Sequence, residues 1–74
     1  MAENDIPEII KKFEKIMGPV ALRIANDTAE KAKVMKNGKI SPADPGEEKR
    51  FLKMLSDAYS NIIGRKVTDT IIHL

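Results

Sequence analysis

Few side chains in this sequence have the type and spacing needed for chemistry. The single imidazole is His73, and a position so near a chain end holds a general base poorly because termini fray. There is no cysteine, which excludes thiol nucleophiles, disulfides and thiolate metal sites. Asp44, Glu47 and Glu48 lie close together, but helix capping accounts for the first two and the spacing is not that of a calcium loop. We therefore expect no catalytic residue, no metal, no cofactor and no enzymatic activity.

Basic residues form a second candidate site, for nucleic acid. The net charge is only +2. This balance neither indicates nor excludes a concentrated basic patch of the kind that nucleic-acid-binding proteins carry. Asp27 and Glu30 are expected on the outer face of the same helix as several lysines, and carboxylates meet phosphate unfavourably. Solvated helix faces are thus the preferred explanation. Weak, sequence-independent nucleic-acid binding is the alternative, through Lys31, Lys33, Lys36, Lys39, Arg65 and Lys66.

The elements that would position these groups are predicted to be helices. Apolar residues at helical spacing predict three of them, over about residues 6–17, 19–36 and 45–63. Gly18 and Pro19 separate the first two, because glycine suits the left-handed position that closes a helix and proline suits the first helical turn. Asn37 and Gly38 are expected to end the second helix, and Gly64 to end the third.

The last residues of the chain allow two interpretations. Val67, Thr68, Thr70, Ile71 and Ile72 are β-branched, and their local propensity favours a strand. A lone strand would leave its backbone groups unpaired, however, and no second strand pattern was found in the chain. We therefore expect a short fourth helix over about residues 68–73, capped by Thr68; an extended segment is the alternative.

Apolar residues are more abundant than a small bundle can easily hide. The third predicted helix carries an apolar arc of about 180°, wider than one neighbouring helix covers. Either the C-terminal segment, a second copy of the chain or a protein partner must cover the excess. The sequence thus predicts an all-α, compact three- to four-helix bundle, one domain over residues 1–74, acting in protein–protein interaction or self-association, including a homodimer. The candidate contacts are Leu52, Tyr59, Ile63, Ile71 and Leu74.

A resemblance supports this interpretation. The run Ile16-Met17-Gly18-Pro19-Val20-Ala21, then Leu22, Ile24, Ala25, Ala29 and Ala32, and finally Arg50-Phe51-Leu52 resembles a small helical module at the ends of bacterial and archaeal signalling proteins, such as kinases and regulators. It covers about fifty residues, and its motif, a Gly-Pro helix junction beside an alanine-rich helix, is moderately specific. The resemblance implies an α-helical interaction module and supplies no catalytic residues.

Composition also bears on location and source. No charge-free stretch approaches the ~20 residues that a membrane span needs, and the acidic start lacks the apolar core of a signal peptide. We therefore expect a cytoplasmic protein with no membrane partner. Cysteine and glutamine are both absent while lysine, glutamate and isoleucine are abundant. That pattern fits a thermophilic source, although in 74 residues it is equally compatible with chance.

Overall fold

The predicted all-α bundle is confirmed by a computed structural model that describes residues 6–72. A small antiparallel hairpin joins the second and third helices. The elements, in chain order, are α1 (Ile6–Met17), α2 (Val20–Ala32), β1 (Met35–Lys36), β2 (Lys39–Ile40), α3 (Pro45–Ile63) and α4 (Arg65–Ile71).

A tight turn reverses the chain between α1 and α2, as the sequence predicts. Gly18 has a φ of 78°, which costs a glycine little because it has no Cβ. Its amide donates to the carbonyl of Glu14 at 2.8 Å, and Pro19 leads directly into α2. Since only two residues connect the helices, α1 and α2 run antiparallel in contact with each other.

Alanine forms the buried face of α2, and it lets the other helices approach closely. The buried alanines are Ala21, Ala25, Ala29 and Ala32. Tyr59 of α3 fills the space beside them, and its hydroxyl donates to the carbonyl of Ala21 at 2.7 Å. The ring of Phe13 from α1 stacks on Tyr59 with centroids 3.9 Å apart. Two aromatic rings therefore join all three main helices.

The end of α2 is the largest departure from the sequence prediction. The helix ends at Ala32 rather than near residue 36, because Lys33 adopts a left-handed conformation with φ 59°. The amides of Lys33 and Val34 donate to the carbonyls of Glu30 and Ala29, which is the Schellman pattern of helix termination. Val34 then enters the core, 1% exposed.

Asn37 and Gly38 form a hairpin turn and not the helix end that we expected from them. Their φ angles are 52° and 75°, as the two central residues of a type I′ turn require. Lys36 pairs with Lys39, and one step further Met35 pairs with Ile40. Strands of two residues each have too weak a periodicity to be seen in a sequence.

The start of α3 matches its predicted capping. The Asp44 carboxylate accepts from the Glu47 amide at 2.8 Å, which is the N-cap bond of a capping box. The Glu47 side chain accepts from the amide of Ala43, the residue before the cap, at 2.8 Å. The Arg50 guanidinium donates to the carbonyl of Ala32 at 2.6 Å. This bond fixes the first turns of α3 beside the last turn of α2.

The predicted fourth helix is present and replaces the alternative extended segment, but its first and last residues differ from those predicted. Gly64, with φ 92°, ends α3 as expected, and α4 begins at the next residue instead of at 68. Thr68 does not cap the helix: it is fully buried, and its hydroxyl donates to the carbonyl of Gly64 at 2.8 Å. A cap position would have left this threonine at the surface, whereas packing against α3 requires it inside.

The left-handed Lys33 leads to a first prediction. Lys33→Gly should raise the free energy of unfolding by about 0.5–1 kcal/mol, because glycine has no Cβ to strain at this φ and the gain exceeds its entropic cost. In urea denaturation, Lys53→Gly is the matched control: Lys53 is an exposed residue inside α3, where glycine should lower the free energy by about 1 kcal/mol. Equal losses in both variants would contradict the left-handed helix end.

Tyr59 leads to a prediction about pH. Burial raises the pKa of the Tyr59 phenol above its ordinary value, and the nearby Glu14 carboxylate adds to the effect. The folded state therefore favours the neutral phenol, so this contribution to stability is complete below about pH 10 and is lost as the pH rises further. Since Tyr59 is the only tyrosine, its tyrosinate absorbance in the folded protein should appear above the pH at which free tyrosine titrates.

The control for this prediction is Tyr59→Phe, which keeps the ring. The variant should be about 1–2 kcal/mol less stable at neutral pH, because the bond to the Ala21 carbonyl is lost. It should also lack the tyrosine component of the alkaline decline in urea titrations. Identical pH profiles for the two proteins would contradict the buried, hydrogen-bonded phenol.

Candidate interaction surfaces

The exposed large apolar side chains are not scattered over the surface. The five found among residues 6–72 are within four residues of Gly18 or Gly64, and they are 40–58% exposed. Three lie near the α1–α2 turn and two near the α3–α4 turn. We name this set the glycine end: Ile16, Val20, Leu22, Ile62 and Val67.

Both glycine turns lie at the same end of the bundle. Because α2 runs antiparallel to both α1 and α3, the start of α2 meets the ends of its two neighbours. The hydrogen bond from Tyr59 to Ala21 and the stacking of Phe13 on Tyr59 fix this alignment within two turns of each glycine. Exposed apolar residues that are distant in the chain are thus brought to the same end of the bundle.

The candidate contact residues predicted from the sequence differ in their exposure. Leu52 and Tyr59 are 1% and 0% exposed, so the prediction that they contact a partner is wrong. The wide apolar arc of α3 is covered on one side by α2 and on the other by α4. Ile63 and Ile71 are half-buried and pack against the core, and Leu74 lies outside the described residues.

Ile16, Val20 and Leu22 belong to the apolar pattern that predicts the first two helices, and that pattern alone does not reveal the glycine end. Their helical spacing is that of a buried face, but a helix within one turn of a tight reversal has no neighbour to cover every apolar position. The signal that could have found them is their closeness to Gly18 rather than their angle around the helix.

Cations surround the glycine end. Lys15, Arg23 and Lys66 are exposed, and each is the chain neighbour of one of its apolar residues. Arg65 is also basic, but its guanidinium pairs with the Asp57 carboxylate at 3.0 Å, the one ion pair among residues 6–72. Among residues 6–72, exposed apolar and exposed basic side chains therefore occur together at this end.

A groove of about 480 Å³ continues from the glycine end along the α1–α2 seam. Helix α1 contributes Ile6, Ile10 and Glu14, which are spaced four residues apart along one side of the helix. Leu22 and Asn26 of α2, and the hairpin from Gly38 to Ile40, also line it. The volume lies within the ~300–1,000 Å³ range of ligand pockets, and the lining is mostly apolar.

The candidate nucleic-acid residues do not form a single surface. All six are exposed, but Arg65 and Lys66 follow Gly64 at the glycine end. The other four lie at the opposite end, in or after the last turn of α2: Lys31, Lys33, Lys36 and Lys39. The first turn of α3, which carries Glu47 and Glu48, is held at that same end by the bond from Arg50 to Ala32.

Over residues 6–72, no group of three or more histidine, cysteine or acidic side chains is arranged to hold a metal ion. Within the same range, no helix combines the length and the apolar character that crossing a bilayer requires.

Comparison with known proteins gives no relative. No protein-family model, curated protein or solved structure matches this chain. The resemblance to the helical module of signalling proteins therefore stays a prediction from the sequence, and Gly18 and Pro19 of its motif form the α1–α2 turn.

Buried and exposed apolar residues of α3 should differ in how much they contribute to the free energy of unfolding. Leu52→Ala should cost about 2–5 kcal/mol of unfolding free energy, because it leaves a cavity in the core. Ile62→Ala, at a side chain 58% exposed, should change it by no more than about 0.5 kcal/mol. Chemical denaturation of the two variants is the measurement, and comparable losses would mean that Ile62 is covered.

Proposed function

We propose that this protein is a small, non-enzymatic protein–protein interaction module that docks through its glycine end. The observation that carries the proposal is the concentration of five exposed large apolar side chains at one end of the bundle. Contiguous apolar surface on a small protein is typical of interaction sites, whereas single exposed apolar residues need no explanation.

The strength of such an interaction can be bounded. Burying the remaining half of a large aliphatic side chain contributes about 1 kcal/mol, so five residues supply roughly 5 kcal/mol before the entropic costs of association. The bundle is 22 by 20 Å across. The area of its end is therefore roughly half of the ~800 Å² of surface that each partner buries in a standard interface. The glycine end alone supports a transient association.

A nucleic-acid function is the weaker proposal. Phosphate binding gains from several cations on one surface, and here the six candidates are divided between the two ends of the bundle. The four lysines of the far end also share that end with Glu47 and Glu48. A protein partner would bury the exposed apolar side chains, whereas a phosphate backbone would leave them in contact with water.

The test of this function is a double substitution at the glycine end. Ile16→Ser with Ile62→Ser should abolish whichever association the wild type shows, whether it is self-association in sedimentation equilibrium or retention of a specific protein from lysate of the source cells. Lys31→Ser with Lys53→Ser is the control, because both lysines are exposed away from the glycine end.

Two results would contradict the proposal. One is an association that the glycine-end variant retains as fully as the control does. The other is a wild-type protein that stays monomeric at all concentrations and retains no protein that the glycine-end variant fails to retain.

A further inference from the structure

We propose that the α1–α2 groove, together with the glycine end, binds an acidic amphipathic helix of a partner protein rather than a second copy of this chain. The inference rests on the proposed interaction function and names the kind of partner. Three observations carry it: the shape of the groove, its continuity with the glycine end, and the sign of the charges around both.

The length and direction of the groove suit a bound helix. Its α1 side runs from Ile6 to Glu14, a rise of ~12 Å, or a little over two helical turns. The lining residues of each helix recur every four positions, so the groove follows the seam between α1 and α2, where a further helix would pack. Recognition by strand addition is less suitable, because the hairpin strands contain only two residues each.

The groove and the glycine end adjoin at a residue that they share. Leu22 lines the groove and is also one of the exposed residues of the glycine end, at 46% exposure. Glu14 and Leu22 mark the near end of the groove, and Gly38 to Ile40 of the hairpin mark the far end. A helix lying in the groove would therefore extend the small area of the glycine end along α1.

The charges favour an acidic occupant. Lys11 and Lys39 line the groove, and Glu14 is its only carboxylate among the described residues. Neither lysine forms an ion pair within residues 6–72. A partner carboxylate placed over either lysine would gain a complementary charge, and such pairs speed encounter and select against wrong partners.

The basic residues beside the glycine end disfavour a second copy of the chain as the partner. Three of the five residues of the glycine end have a basic neighbour in the chain, in the pairs Lys15-Ile16, Leu22-Arg23 and Lys66-Val67. In a symmetric dimer the same patch meets itself, so Lys15, Arg23 and Lys66 of both copies would be gathered at one interface. An acidic partner removes this repulsion and buries the same apolar side chains.

The experiment uses two synthetic peptides with identical length and identical leucines at helical spacing. One carries glutamates and the other lysines at the flanking positions. The full chain should bind the glutamate peptide at least about tenfold more tightly than the lysine peptide at low salt, and the difference should shrink as salt screens the charges. Titration calorimetry gives the affinities, and NMR shifts of the Ile6, Ile10 and Ile40 methyl groups report occupancy of the groove.

Charge reversal locates the site. Lys11→Glu with Lys39→Glu should weaken binding of the glutamate peptide by about tenfold, since two attractions become repulsions. The matched control is Lys49→Glu with Lys53→Glu, two exposed lysines of α3 that do not line the groove. It makes the same change in net charge and should alter the affinity by less than about twofold.

The outcomes separate this inference from the function on which it rests. If both peptides bind equally, if the two double variants lose equal affinity, or if the chain instead dimerises through the glycine end, the acidic-partner inference is wrong and the interaction function stands. If neither peptide binds and the glycine-end variant also changes no association, both are wrong. Binding of duplex DNA in preference to the glutamate peptide would overturn the inference in favour of phosphate recognition.

Discussion

The close approach of Tyr59 to the alanine face of α2 is the interaction on which the rest of the fold depends. Large side chains on α2 would hold α3 away, and the phenol could then neither reach the Ala21 carbonyl at 2.7 Å nor stack on Phe13. A chain of 74 residues buries proportionally little surface. Close helix packing, with aromatic rings filling the space that alanine leaves, compensates for this.

That packing also determines which apolar residues remain outside. Aromatic rings from α1 and α3 meet over the alanines in the core, and α4 also packs on α3. Near Gly18 and Gly64 the chain reverses, so no helix continues past the turns to cover Ile16 or Ile62. The core and the candidate site are thus two results of one arrangement: the same helices that bury their central residues leave their ends uncovered.

The sequence predicted the elements better than the contacts between them. Periodicity and capping located α1 and α3 and the turns at Gly18 and Gly64, because those signals are local. They could not distinguish a buried Leu52 from an exposed Ile62, since both fit one apolar arc and only the placement of α2 and α4 separates them. The helix end at Lys33 was missed because its cause is Val34 entering the core, a tertiary contact that outweighs the strain of a left-handed lysine.

The hairpin that replaces the last turn of the predicted α2 has a consequence for recognition. A helix continuing to residue 36 would have carried its lysines away along its own axis. By ending at Ala32, the chain instead turns back and places Ile40 and Lys39 against α1, where they line the groove. Cross-strand like charges such as Lys36 and Lys39 cost stability when left without a counter-charge, and an acidic partner at this groove would supply one. The least predictable element of the fold is therefore the one that gives the groove its far end and its charge.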